Sequence, residues 1–373
     1  MAWNAGRSTR LISLLWVVIA SGCGTSTPAS SPASAPIDLA QPWVSATPGE
    51  VGLDPVLLGR AAAGAAAIPR FRALLVVRHG KLALEEYFGG ATSDTQFDVR
   101  SVTKSVVSLL VGQSLEAGEL PGLDTTVGNY LSPPYLLDPG DRAVTVNELL
   151  TMTSGYQWNE DTGNDYNLWI KSPDHVQFLL DRPQTGPPGP FTYNSAAVHL
   201  LGVVVQLATK TPLASLADQR LFQPIGIKSA VWEQFEQGTV NGGSGLQLTG
   251  QDLARLGQLM LQKGQSGSLQ VVPASWIASV TTPQFTWRDT DGAQASVTYG
   301  YLWWVADPPS AHAFFAWGYG GQFVYVVPTL DLVIISTTEW RNLAADNLTP
   351  LGIAQTVLSV IVNDILPSAT PQG

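Results

Sequence analysis

Ser101-Val102-Thr103-Lys104 sets a hydroxyl three residues ahead of an amine, at the head of a long apolar run. A serine hydroxyl is a weak nucleophile until a base takes its proton, and a lysine stripped of water becomes neutral enough to be that base. On a helix, positions i and i+3 share a face, so the spacing predicts that Ser101 and Lys104 point into one cavity. Of the six lysines in the chain, only Lys104 has a serine three residues before it. The run that follows, with Ser105, Val106, Val107, Leu109, Leu110 and Val111, is apolar on most sides and predicts a buried helix. A lysine inside such a helix needs a reason, and nucleophilic acyl transfer without a histidine supplies one.

The elements that must hold this pair come from both ends of the chain. Residues 73–78, the turn His79-Gly80 and residues 81–87 alternate and reverse like a β-hairpin. Far downstream, residues 322–327, the turn Pro328-Thr329-Leu330-Asp331 and residues 332–337 predict a second hairpin, and 351–362 predicts a closing helix. Between them, 144–152, 173–180, 196–208 and 250–262 carry helical spacing, the last opened by the cap-like Thr249. The expected fold class is α+β, a sheet built from both chain ends with a mostly helical region inserted. The seam between the two is the natural place for a cleft.

Residues 1–22 have a different purpose. Arg7 and Arg10 precede an apolar stretch over 11–20, closed by Ser21, Gly22 and Cys23, the pattern of an export signal too short for a stable membrane span. Cys23 is the only cysteine, which excludes an intramolecular disulfide and a cysteine-based zinc site. Its place after Ala20-Ser21-Gly22 resembles a bacterial lipobox, which implies lipidation of Cys23, a membrane anchor and a location in the cell envelope. Residues 23–48 are rich in Ser, Thr, Ala and Pro and predict a tether, leaving 49–373 as one large domain.

Composition narrows the class further. Charged residues make up 13% of the chain and there are 12 Trp and 26 Pro, as suits a compact, loop-rich exported enzyme. Loss of Arg7 and Arg10 with the signal takes the net charge from −10 to −12, which disfavours nucleic acid as a partner. His79, His175, His199 and His312 are scattered without metal-ligand spacing, no Gly-x-Ser-x-Gly elbow occurs, and no phosphate- or dinucleotide-binding glycine pattern is present. No cofactor and no metal are expected.

Several segments, in order, resemble the penicillin-recognising serine hydrolases, in particular the group of class C β-lactamases, D-alanyl-D-alanine carboxypeptidases, related esterases and 6-aminohexanoate-dimer hydrolase. Phe97-Asp98-Val99-Arg100-Ser101-Val102-Thr103-Lys104 is similar to their nucleophile segment, and 149–155 to the stretch after their first helices. Phe191-Thr192-Tyr193-Asn194-Ser195 is similar to their second motif and 245–255 to another recurrent segment. Ala316-Trp317-Gly318-Tyr319-Gly320-Gly321-Gln322 stands where the third motif is expected at the sheet edge. The resemblance implies an antiparallel sheet flanked by helices, in the β-lactamase/transpeptidase manner.

It also implies roles. Ser101 is the expected nucleophile and Lys104 its base. Tyr193 is expected to share proton transfer, drawn toward phenolate by the lysine charge. The backbone N–H groups of Ser101 and Tyr319 would hold the oxyanion, Gly318 would give a substrate close access to the backbone, Ser195 would orient Lys104 or substrate, and Trp317 would line the pocket. Trp158 and Trp169 carry the weaker expectation of lining it too. Where the third motif usually offers Lys or His, this chain has Ala316, so a small ester or linear amide is the expected substrate. A lysine introduced at 316 is accordingly expected to favour carboxylate-bearing β-lactams. A β-lactamase or D-alanyl-D-alanine carboxypeptidase, and a penicillin-binding receptor that does not turn over, are the alternatives.

Overall fold

The computed structural model describes residues 35–235, 238–288, 294–306 and 312–369. The predicted export signal and Cys23 lie outside the described residues. Strands β1 (Phe71–Arg78) and β2 (Lys81–Tyr87) form the first expected hairpin, turned by His79 and Gly80 at φ 53° and 70°. Two consecutive positive φ values match the right-handed twist of the strands they join. Downstream come β3 (Phe97–Asp98), β4 (Val231–Trp232), β5 (Leu246–Leu248), β6 (Gln265–Ser266), β7 (Leu269–Gln270), β8 (Phe285–Arg288), β9 (Gln294–Tyr299), β10 (Trp304–Ala306), β11 (Ala313–Gly318), β12 (Gln322–Val327) and β13 (Leu332–Thr338).

Eight of these strands make one antiparallel sheet in the order β2-β1-β13-β12-β11-β10-β9-β8. The α+β architecture with a helical insertion is as the sequence implied. Two details differ. Strands β8 to β10 have no counterpart among the sequence expectations, and they move the edge to β8, so β11 and its third-motif residues lie inside the sheet.

Both faces of the sheet are covered, which is why β12 and β13 are buried along their whole length and read as unbroken apolar runs. Leu74, Val76, Phe315, Phe323, Tyr325 and Ile334 face the helix Pro55–Ala67 and the C-terminal helix. The latter begins at Pro350 and continues to Ser368, six residues beyond its expected end. Leu75, Val77, Ala316, Val324, Val333 and Ile335 face the inserted helices. Among these, helix Gly250–Leu261 begins with a reciprocal cap between Thr249 and Asp252 and lies close on the sheet at Gly257, where a Cβ would come 2.4 Å from Val333 Cγ1.

Helix Val102–Glu116 runs through the centre of this face, and every residue from 102 to 114 is buried. Each fully buried Val or Leu there stabilises the fold by roughly 1.5–3 kcal/mol. Several of its polar side chains are matched: Ser105 and Ser108 hydroxyls donate to the carbonyls of Leu302 and Tyr301, and the Gln113 amide N–H groups donate to those of Arg220 and Val271.

Within the stretch expected as a tether, residues 37–46 are docked on the domain. Leu39 is buried, its N–H donates to Ser266 Oγ at 3.0 Å, and the Arg255 guanidinium donates to the Leu39 and Gln41 carbonyls. The Ala46 N–H donates to the Leu82 carbonyl and the Leu82 N–H to the Val44 carbonyl, laying this segment along β2. The apolar side chains of Ile37, Leu39 and Trp43, sparse as they are, suffice to dock it.

Candidate active site

Strand β3 delivers the chain to Arg100, whose positive φ of 50° turns it sharply into the helix. Asp98 supports the turn by accepting the Arg100 N–H at 3.1 Å. Ser101 is the N-cap of helix Val102–Glu116, and one turn later Lys104 is 1% exposed. Its Nζ lies 2.8 Å from Ser101 Oγ, 2.9 Å from Ser195 Oγ and 2.7 Å from the Gly243 carbonyl oxygen. An ammonium has three donors, and here it has three acceptors. Burial brings the Lys104 pKa down to about 8, aided by Arg100 and opposed by Glu160 and Asp161. A substantial share of the amine is therefore neutral near pH 8, and a neutral amine so placed can accept a proton from Ser101 along the same 2.8 Å contact.

Tyr193 and Ser195 come from the start of helix Ser195–Thr209, which Asn194 caps by accepting the Ala197 N–H at 3.0 Å. The Tyr193 hydroxyl is hydrogen-bonded to Ser101, and its ring centroid is 4.8 Å from Lys104 Nζ. Burial of the hydroxyl, with Glu160 nearby, pushes its pKa well up. The shift runs against the expectation of a phenolate: desolvation and the Glu160 charge outweigh the Ser101 hydrogen bond and Arg100, and a neutral phenol in this place could relay a proton. Trp304 at 6.2 Å and Tyr299 at 6.4 Å fix the ring.

The third-motif segment is only partly as expected. Gly318 ends β11 against the nucleophile loop, where a Cβ would stand 2.3 Å from the Val99 carbonyl oxygen. Only glycine allows that approach. Tyr319 follows, half exposed, with its ring 6.0 Å from the Arg100 guanidinium. Among the described residues, neither the Ser101 nor the Tyr319 N–H has a backbone acceptor, as a pair of oxyanion donors requires. Trp317 is not brought to the site. Strand alternation sends it to the opposite face from Ala316 and Gly318, where it stacks on Phe323 at 5.8 Å. Trp158 and Trp169 are likewise buried in an aromatic cluster, 6.4 Å apart. Gln322 is buried and bonded to Thr338, bracing the turn at 319–321.

Two residues at the centre of the site were not singled out from the sequence. Gly243 supplies the carbonyl that Lys104 reaches, and a Cβ there would lie 2.4 Å from the Ser195 carbonyl oxygen. Asn241 shapes its turn by accepting the N–H groups of Gly243 and Ser244. The pair Gly242-Gly243 was the available signal. Glu160 is the other: Oε1 accepts the Ser195 hydroxyl and Oε2 the Ser195 N–H, each at 2.7 Å, while Trp158 Nε1 also donates to Oε2 at 2.7 Å. No local spacing marks it.

Comparison with known proteins assigns the family. The family model described as Beta-lactamase matches residues 59–356. Esterase EstB of Burkholderia gladioli is 34% identical over 176 residues, 41% of this chain and 45% of the esterase, so the match spans less than half of that relative. The 6-aminohexanoate-dimer hydrolase of Paenarthrobacter ureafaciens is 24% identical over 294 residues, 72% of this chain and 73% of that protein. Among solved structures, a D-stereospecific amidohydrolase from Streptomyces sp. superposes with TM-score 0.63 at 18% identity, covering 82% of this chain and 98% of that one. At that identity it speaks to the fold alone. With the match over residues 59–356 added to a buried lysine set on a helix-start serine, the chain belongs to the β-lactamase family and is a serine hydrolase of that family.

Proposed function

We propose that the protein hydrolyses a small ester or linear amide through an acyl-enzyme on Ser101. The observation that carries this reading is the 2.8 Å contact between Ser101 Oγ and the buried Lys104 Nζ. In the proposed reaction Lys104 takes the Ser101 proton as Oγ bonds to the substrate carbonyl carbon. The Ser101 and Tyr319 N–H groups receive the negative charge that develops on the carbonyl oxygen. As the bond to the leaving group breaks, a proton returns to that group from Lys104 through the Tyr193 hydroxyl, and water then releases the acid by the reverse path. Ala316 supports an uncharged substrate at this position, since it is wholly buried and offers neither charge nor hydrogen bond. The names of the esterase and 6-aminohexanoate-dimer hydrolase relatives support the same substrate class.

The test is turnover of p-nitrophenyl acetate, p-nitrophenyl butyrate, nitrocefin and a D-Ala-D-Ala peptide by the wild type and by Ser101→Ala. Steady ester turnover and covalent fluorophosphonate labelling are expected, both abolished in the variant with its thermal unfolding nearly unchanged. An adduct on another serine would overturn the nucleophile, and a burst that stops at one equivalent on every substrate would favour the receptor alternative. The location is proposed with it: Cys23 carries a lipid that holds the domain at the outer face of a membrane. Metabolic labelling with an alkynyl fatty acid that persists in Cys23→Ser would refute that.

A further inference from the structure

We propose that Glu160 is a positioning residue that fixes the proton on the Ser195 hydroxyl, and so aims the lone pair of neutral Lys104 at Ser101. This rests on the reading of Ser101 as nucleophile and Lys104 as base. The argument follows from which atoms can donate. Glu160 Oε1, 2.7 Å from Ser195 Oγ, can only accept, so the Ser195 proton points at the carboxylate. Ser195 Oγ must therefore accept from Lys104, 2.9 Å away, and the Gly243 carbonyl at 2.7 Å can also only accept. A neutral amine has two N–H donors and one lone pair. Both donors are spoken for by Ser195 and Gly243, and the lone pair is left for Ser101 at 2.8 Å. Without the carboxylate, Ser195 is free to donate to Lys104 and compete for that lone pair.

The surroundings make the glutamine variant a sharp test. Oε2 receives two groups that can only donate, the Ser195 N–H and Trp158 Nε1–H. In Glu160→Gln the amide oxygen must take that place, which turns the amide NH2 toward Ser195 Oγ and reverses the polarity of the serine hydroxyl. The carboxylate also acts as a counter-ion to the ammonium formed during acylation. The charged and titratable groups around this network are Arg100 and Asp161, which act on Lys104, and Tyr193 and Tyr299, which face Glu160. Loss of the anion, with Arg100 still in place, lowers the affinity of Lys104 for a proton.

The experiment is the pH dependence of fluorophosphonate acylation and of p-nitrophenyl acetate kcat/KM, both normalised to titratable Ser101 so that misfolded protein drops out. In Glu160→Gln the plateau is expected to fall at least tenfold while the acid limb moves to lower pH by about 0.5–2 units, the range set by a unit charge about 5 Å away in a medium between protein and water. Glu160→Asp, which keeps the charge, is expected to return the limb toward its wild-type position. A lowered plateau with an unmoved limb would reduce Glu160 to a structural support and overturn the proposal. Should Glu160→Gln yield no titratable protein, Glu160→Ala carries the same test, since it too removes both the charge and the acceptor for the Ser195 hydroxyl, and an unmoved limb there again overturns it. Absence of any Ser101 adduct in the wild type would instead refute the nucleophile reading beneath it.

Discussion

Lys104 Nζ reaches the Gly243 carbonyl across 2.7 Å, and Gly243 in turn presses so closely on Ser195 that a Cβ would lie 2.4 Å from the Ser195 carbonyl oxygen. The Lys104 amine, the second-motif helix and the Asn241–Ser244 turn are thus held in one contact. Gly243→Ala is expected to force the turn away from the helix and to cost about 1–3 kcal/mol by overpacking. It should also lower kcat/KM on p-nitrophenyl esters at least tenfold, because an acceptor for Lys104 has moved. Thermal unfolding and steady-state kinetics check both parts, and a variant unchanged in each would show that the turn has slack.

Burial of Lys104 makes a stability prediction with a definite sign. Its pKa is about 8 in the folded protein, against about 10.4 in an unfolded chain, so between those values the unfolded state binds more protons. Stability contributed by this group therefore rises with pH across that window. Relative to Lys104→Met, the wild type is expected to gain about 2 kcal/mol of unfolding free energy between pH 7 and pH 9.5. Parallel urea melts of the two proteins at both pH values measure the difference directly. Equal changes in the two would mean that Lys104 is not desolvated as the structure has it.

The position of Ala316 changes what a lysine there should do. The sequence led us to expect a switch toward carboxylate-bearing β-lactams, but Ala316 is fully buried on the inner face of the sheet beside Val324 and the nucleophile helix. A lysine would bury an ammonium without a counter-ion, a change that costs on the order of 3 kcal/mol or more. Ala316→Lys is expected to lower Tm by roughly 5–10 °C, leaving the ratio of kcat/KM for nitrocefin and p-nitrophenyl acetate unimproved. A stable variant with a tenfold better ratio would show that the new side chain reaches the cleft after all.

What was legible in the sequence was local or periodic. Ser101 and Lys104 stand three apart on one helix, Thr249 and Asp252 mark a cap by their spacing, and His79-Gly80 marks a turn. Glu160 was not legible, because its bond to Ser195 spans 35 residues and its neighbours in sequence have no period. Trp317 misled for a different reason: its motif neighbours reach the site, and the two-residue alternation of a strand turns it the other way. The direction of the Tyr193 shift depends first on how much water its hydroxyl loses, which no spacing of residues encodes. The docking of 35–46 was hidden in the same manner, since a few apolar side chains in a Ser/Pro/Ala-rich stretch find their partners only in the finished fold.

The order of strands bears on how the enzyme comes into being. The β1–β2 hairpin touches the rest of the large sheet through β13 alone, with Phe71 paired to Thr338 and Arg78 to Leu332. Nearly the whole chain must therefore be synthesised before its first strand can find its second neighbour, β13. Contacts of such long range are slow to form, because loop closure is completed before burial rewards it. Until then β1, with its run of Leu74, Leu75, Val76 and Val77, offers an apolar edge to any other chain. The last strand to leave the ribosome is thus the one that protects the first, and the unfolded interval before it arrives is when a holding partner would matter most.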